Sequence, residues 1–137
     1  MEHIDFFKLQ AKNLMRDYKT QFKDETGVYQ YSPRFFFDID EIINSYDIDE
    51  NNFSLMKAQH YIAKLAGFYN WSELSYASDA KLELGKLLLE NRNECDSIGV
   101  PLLDSWKMYR DSILQDHNFD DQTLLTIFKA VYLEQYD

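Results

Sequence analysis

The tetrapeptide DIDE occurs twice, at residues 38–41 and 47–50, and carboxylates so spaced are the first place to look for metal chemistry. Asp47, Asp49 and Asn51 begin as a calcium loop begins, with oxygen ligands at alternate positions. The pattern then breaks: Asn52 stands where that loop needs glycine, and Ala58 where it needs a bidentate glutamate. A second run starting at Asp116 ends on Ile127 at the same position. Aspartates ahead of helices cap them and favour the positive end of the helix dipole, so these acids are expected to do that and to bind no metal. Nucleophilic chemistry has little footing either. His3, His60 and His117 are scattered, Cys95 has no base near it in sequence, and the four glycines form no phosphate-cradling loop. With no catalytic residue and no cofactor indicated, the chain reads as a binding protein rather than an enzyme.

Charge says what it could bind. Fourteen basic against twenty-four acidic residues give a net charge of -10, which repels nucleic acid and anionic membrane at long range and attracts cationic partners. The acidity is zoned, with six acids to one Arg34 in residues 27–53 and nine acids to three basic residues in 93–137. Asp38, Asp40, Glu41, Asp47 and Asp49 of the first zone, and Asp116, Asp120 and Asp121 of the second, are the candidate partner-binding residues. The partner they imply is a basic protein surface, such as the groove of a nucleic-acid enzyme or toxin, where carboxylates can stand in for phosphates. An alternative comes from Lys8, Lys12, Arg16, Lys19 and Lys23, which fall on one stripe at about 100° per residue and offer a contact for a phosphate backbone. A third possibility is an enzyme whose site is assembled only in the fold.

The elements that must position these groups are helical. The spacing predicts a first helix near residues 3–24, with Ile4, Phe7, Ala11, Leu14 and Tyr18 on its seam, joined by Met15 and Phe22. Residues 27–53 are ambiguous. A helix after Pro33 would carry Phe35, Ile39, Ile42, Ile43 and Tyr46, with Asp38 and Glu41 as a second possible start, whereas Val28–Tyr31 and Phe35–Phe37 could instead pair as a short hairpin. The helix is the favoured reading.

Residues 54–74 form the most readable corner. Ser54 can cap a helix carrying Leu55, Ala58, Ile62, Leu65 and Ala66; Gly67 can close it in the left-handed region; Phe68 can fold back on its last turn. Asn70 and Glu73 then have the spacing of a capping box, ahead of Trp71 and Leu74. Ala63 and Gly67 stand four apart, as in many DNA-binding helix-turn-helix units, but the following segment offers Glu73, Asp79 and Glu83 against only Lys81 and Lys86, the wrong chemistry for base edges. Ser54, Ala58, Ile62, Ala63, Gly67, Phe68, Trp71 and Leu74 resemble the short helical module that precedes the catalytic part of some bacterial glyoxalase-superfamily proteins. That resemblance implies a helical corner and carries no catalytic residues.

Ser78 or Asp79 can restart a helix so rich in leucine, from Leu82 through Leu89, that a central position is expected. Pro101 can open the next, with Leu102, Trp106, Tyr109 and Ile113. Asp120, flanked by Phe119 and Leu124, can start the last, which carries Leu125, Phe128, Val131 and Tyr132. The sum is an all-α single domain of about six helices over residues 1–137, with ample apolar content at 45%. No apolar run reaches the ~20 residues of a membrane span. MEHIDFFKLQ lacks the features of a signal peptide, and a lone cysteine suits a reducing compartment, so a cytoplasmic location is expected.

Overall fold

The computed structural model describes residues 3–35, 39–46, 51–112 and 114–134. Among these residues the fold is all-α apart from one two-stranded hairpin. In chain order the elements are α1 (His3–Tyr18), β1 (Phe22–Lys23), β2 (Tyr29–Gln30), α2 (Ile39–Tyr46), α3 (Leu55–Leu65), α4 (Trp71–Ser75), α5 (Asp79–Glu90), α6 (Leu102–Ser112) and α7 (Asp121–Tyr132). Packing is most extensive between α1 and α3 and between α5 and α7, and α5 also touches α1 and α3. Helix α5 is the shared wall: Leu82 and Leu89 enter a core with Phe7, Leu14, Ile62 and Phe68, while Leu84 and Leu88 enter a second with Trp106, Leu125 and Phe128. Leucines all round this helix are explained by apolar neighbours on two sides.

The corner is built as its residues require. The Ser54 hydroxyl accepts the Lys57 N–H, and at the other end Phe68 N–H donates to the Ala63 carbonyl and Gly67 N–H to that of Lys64. This is a Schellman closure, which needs a left-handed residue, and Gly67 has φ 89°. Asn70 Oδ1 accepts the Glu73 N–H at 2.8 Å, and Glu73 reaches back to the N–H of Tyr69, one residue before the usual capping-box position. Leu74 is fully buried and Trp71 only half so. α4 spans five residues, too short to serve as a base-reading helix, and α5 is capped separately by Ser78.

The corner seats on α5 through a glycine in mid-helix. A Cβ at Gly85 would lie 2.8 Å from Phe68 Cε2 and 3.2 Å from the Ala66 carbonyl oxygen. Glycine there costs the helix about 1 kcal/mol relative to alanine, so its presence is explained by the close approach it permits. Gly67 faces the same contact from the other side, where a Cβ would lie 3.1 Å from Leu88 Cδ1 and 3.5 Å from Leu103 Cδ1.

α1 ends at Tyr18, earlier than its periodicity suggests, because a turn captures the chain. Thr20 Oγ1 donates to the Asp17 carbonyl at 2.6 Å and accepts the Ser32 N–H, tying the helix end to the strand returning from β2. Asp24 closes the hairpin, its Oδ1 accepting the N–H groups of Thr26 and Val28, with Gly27 at φ 82°. Strand pairing is Phe22 with Gln30 and Lys23 with Tyr29; of the alternative hairpin of Val28–Tyr31 with Phe35–Phe37, Phe36 and Phe37 lie outside the described residues. Phe22, expected on the seam of α1, leaves it and is 53% exposed. Phe35 precedes α2, which begins at Ile39 rather than after Pro33; the cap position falls on Asp38, outside the described residues. Pro33 is followed by a bend because buried Asp17 takes the backbone instead, its Oδ1 accepting the N–H groups of Arg34 at 2.7 Å and Phe35 at 3.0 Å.

The same helix exit recurs 72 residues later. Asp96 Oδ1 accepts the N–H groups of Ile98 and Val100, the Asp96 N–H donates to the Val100 carbonyl as that of Asp24 does to Val28, and Gly99 has φ 88°. Lys23 opposite Tyr29 corresponds to the bridge between Cys95 and Pro101. A D-x-x-G-V turn thus succeeds α1 and α5 at the same distance from each helix end. Both halves of the chain run helix, hairpin turn, helix and helix, joined by the short α4.

This packing has two measurable consequences. Gly85→Val is expected to lower the unfolding free energy by about 2 kcal/mol or more, from overpacking against Phe68 and Ala66, and Gly67→Val by about 1–2 kcal/mol from its φ. Unchanged urea midpoints would show that the corner is not seated on α5. For the turns, hydrogen bonds from the Thr26 hydroxyl and the Val28 N–H hold the Asp24 carboxyl at about 2, below its ordinary 3.8. Asp96 is likewise lowered, first by the Val100 N–H and then by the Ser105 hydroxyl. A depressed folded value stabilises fully above the ordinary value and is lost as pH falls toward about 2. Thermal melts across that window are expected to show a shallower acid decline for Asp24→Asn, Asp96→Asn than for the native protein. An identical decline would show that these carboxylates do not hold the turns.

Candidate functional site

The acids named from sequence are dispersed rather than gathered. Asp40 and Glu41 lie exposed in the first turn of α2. Asp116 is exposed in the turn before α7; Asp120 caps that helix, Oδ1 accepting the Thr123 N–H at 2.8 Å; half-buried Asp121 accepts the Ser78 hydroxyl at 2.7 Å. Bonds from the Thr123 side chain and backbone hold the Asp120 carboxyl below the usual range. Ahead of this cap the Phe119 ring stacks on the His117 imidazole, centroids 5.1 Å apart. Asp38, Asp47 and Asp49 lie outside the described residues, as does the front of the first calcium-like run. Among the described residues no three His, Cys, Asp or Glu side chains are drawn together as metal ligands.

The basic stripe is shorter than the sequence suggests. Lys8, Lys12 and Arg16 are exposed on α1 at four-residue spacing, but the helix has ended before Lys19 and Lys23. Lys23 sits on β1 with its ammonium 5.1 Å from the centre of the Tyr29 ring, and Arg16 lies 6.0 Å from the Phe35 ring. Five cations on one helical face are therefore three, because the turn at Thr20 and Asp24 takes the rest of the predicted helix.

Ion pairing draws on other acids. Among the described residues Lys81 pairs with Glu73, Lys86 with Glu90, Arg110 with Asp111 and Lys129 with Glu83, and none of these four pairs includes Asp40, Asp116, Asp120 or Asp121.

A cleft of about 570 Å³ lies between the α3–α4 corner and α6, lined by Lys64, Gly67, Phe68, Tyr69, Glu73, Lys107 and Arg110. Both Glu73 oxygens are engaged, one by the Tyr69 N–H at 3.0 Å and one by Lys81 Nζ at 3.2 Å. Burial raises the Glu73 carboxyl, but the Tyr69 N–H, Lys81 and Arg110 outweigh it and hold the group below its usual value. Tyr69 is 78% exposed. Nothing local in the sequence marks this cluster, since Lys64 comes from α3 and the other two cations from α6. Its one signal is the three-residue spacing of Lys107 and Arg110 on a helix.

Among the described residues no helix is long and apolar enough to cross a membrane. Comparison with protein-family models, with curated proteins and with solved structures finds no match to the chain.

Proposed function

We propose that this chain is a small acidic, non-enzymatic interaction protein of the cytoplasm that binds, and inhibits or regulates, a basic partner such as a nucleic-acid-handling enzyme or toxin. The observation that carries this reading is where the excess charge goes. The chain bears ten more negative than positive charges, and Asp40, Asp116 and Asp120 are exposed and belong to none of the four ion pairs among the described residues. Carboxylates facing water in two zones create a field that accelerates encounter with a cationic surface, while a short-range fit elsewhere holds the complex. The helices supply a frame for such a surface, with Asp120 capping α7 and Asp40 in the first turn of α2.

Two charge-altered variants test the reading without disturbing the frame. Asp40→Lys with Glu41→Lys changes the exposed first turn of α2, and Asp116→Lys with Asp120→Asn changes the second zone while keeping a competent cap on α7. After affinity capture and identification of the partner, stopped-flow association is expected to slow by roughly tenfold at low salt in either variant, with the difference shrinking as salt rises. Association rates equal to the native protein's at every salt concentration, with helical content unchanged, would reduce these acids to a solvated surface.

A further inference from the structure

The cleft at the α3–α4 corner runs against the charge of the molecule. In a chain with ten excess negative charges, three cationic side chains, Lys64, Lys107 and Arg110, line one concavity, and its single carboxylate, Glu73, is countered by Lys81. Lys107 belongs to none of the ion pairs among the described residues. Arg110 pairs there with the exposed Asp111 beside it, through Nε at 3.1 Å, a type of pair that contributes little. Gly67, Phe68 and Tyr69 also line it, and of these Tyr69 is largely uncovered.

We propose that this cleft binds a small phosphorylated ligand carrying an aromatic ring, of mononucleotide size, with the phosphate held by Lys64, Lys107 and Arg110 and the ring laid on Tyr69. The chemistry supports each part. Guanidinium and ammonium groups lining one cleft suit a phosphate, which accepts bidentate bonds from arginine and point-charge contacts from lysine. Exposed Tyr69, lining the same cleft, supplies a stacking platform for a base. A volume of about 570 Å³ lies within the range of pockets that enclose small ligands. The net charge argues for a compact ligand over a polymer, because an extended polyanion would feel the repulsion of the whole surface whereas a single phosphate feels chiefly the local cations. The position also fits, since the corner lies where the two halves of the chain meet and clefts at such seams are common binding places.

Isothermal titration of the full chain with the 5′-monophosphates of adenosine, guanosine, cytidine and uridine at low salt tests the proposal, with inorganic phosphate, adenosine and a glutamate-rich peptide as comparison probes. At least one monophosphate is expected to bind with one-to-one stoichiometry, roughly tenfold or more tighter than phosphate or adenosine alone. Lys107→Gln with Arg110→Gln, and separately Tyr69→Ala, are each expected to weaken it by roughly tenfold. All three positions are away from the buried cores, and circular dichroism checks that the variants fold. The proposal is overturned if none of the four monophosphates binds, if both folded variants bind as the native chain does, or if only the glutamate-rich peptide binds, which would make the cleft a protein-contact surface.

Discussion

The close approach of the Ala66–Phe68 corner to Gly85 is the constraint on which the rest of the structure depends. Without a side chain at Gly85, Phe68 can lie against α5 with its ring edge 2.8 Å from where a Cβ would stand, and the Ala66 carbonyl can come almost as near. Because Gly67 turns the chain in the left-handed region just there, α3 is delivered onto α5 at a fixed angle and α4 leads away at once. Leu82 and Leu89 then face the core built with α1 and α3, and Leu84 and Leu88 the core built with α6 and α7. One glycine, at a cost of about 1 kcal/mol in helix propensity, lets a single helix serve two cores.

The two D-x-x-G-V turns give each half the same exit from its long helix. In each, an aspartate spends one oxygen on two backbone N–H groups and a glycine takes the positive φ that closes the loop. Beyond the turns the halves diverge. After the second turn the chain enters α6 within three residues of Gly99; after the first it must cross back over α1, where buried Asp17 holds Arg34 and Phe35. A buried carboxylate needs such partners to offset its desolvation. Arg92, partly buried at the end of α5, feels the same carboxylate: burial lowers its guanidinium from the ordinary value and Asp17 raises it.

Local signals in the sequence were legible where one residue type has one job. Ser54, Gly67, Asn70, Ser78 and Asp120 all do what their spacing implies, and the leucine-rich α5 is central. Features that depend on distant partners were hidden. The seam of α1 continues in pattern to Phe22, but Asp24 and Gly27 divert the chain, so Lys19 and Lys23 leave the basic stripe. Asp17 lies on that apolar seam, three residues after Leu14, and a polar residue there was the available sign of a buried hydrogen-bonding role. Gly85 likewise reads as a weak helix position until Phe68 is placed beside it. The acidic zones were visible as composition, whereas the cationic cleft was not, because its residues meet only through the corner.

If the corner binds two similarly built halves into one cooperative unit, neither core can open without the other. Native-state amide hydrogen exchange against increasing urea tests this most directly, by comparing Leu14 and Ile62 of the first core with Leu88 and Phe128 of the second. All four amides are expected to converge on one opening free energy with one dependence on urea, because α5 cannot release either core alone. Separate isotherms, with Leu88 and Phe128 opening at a distinctly different free energy from Leu14 and Ile62, would contradict this and make the corner a hinge between independent halves.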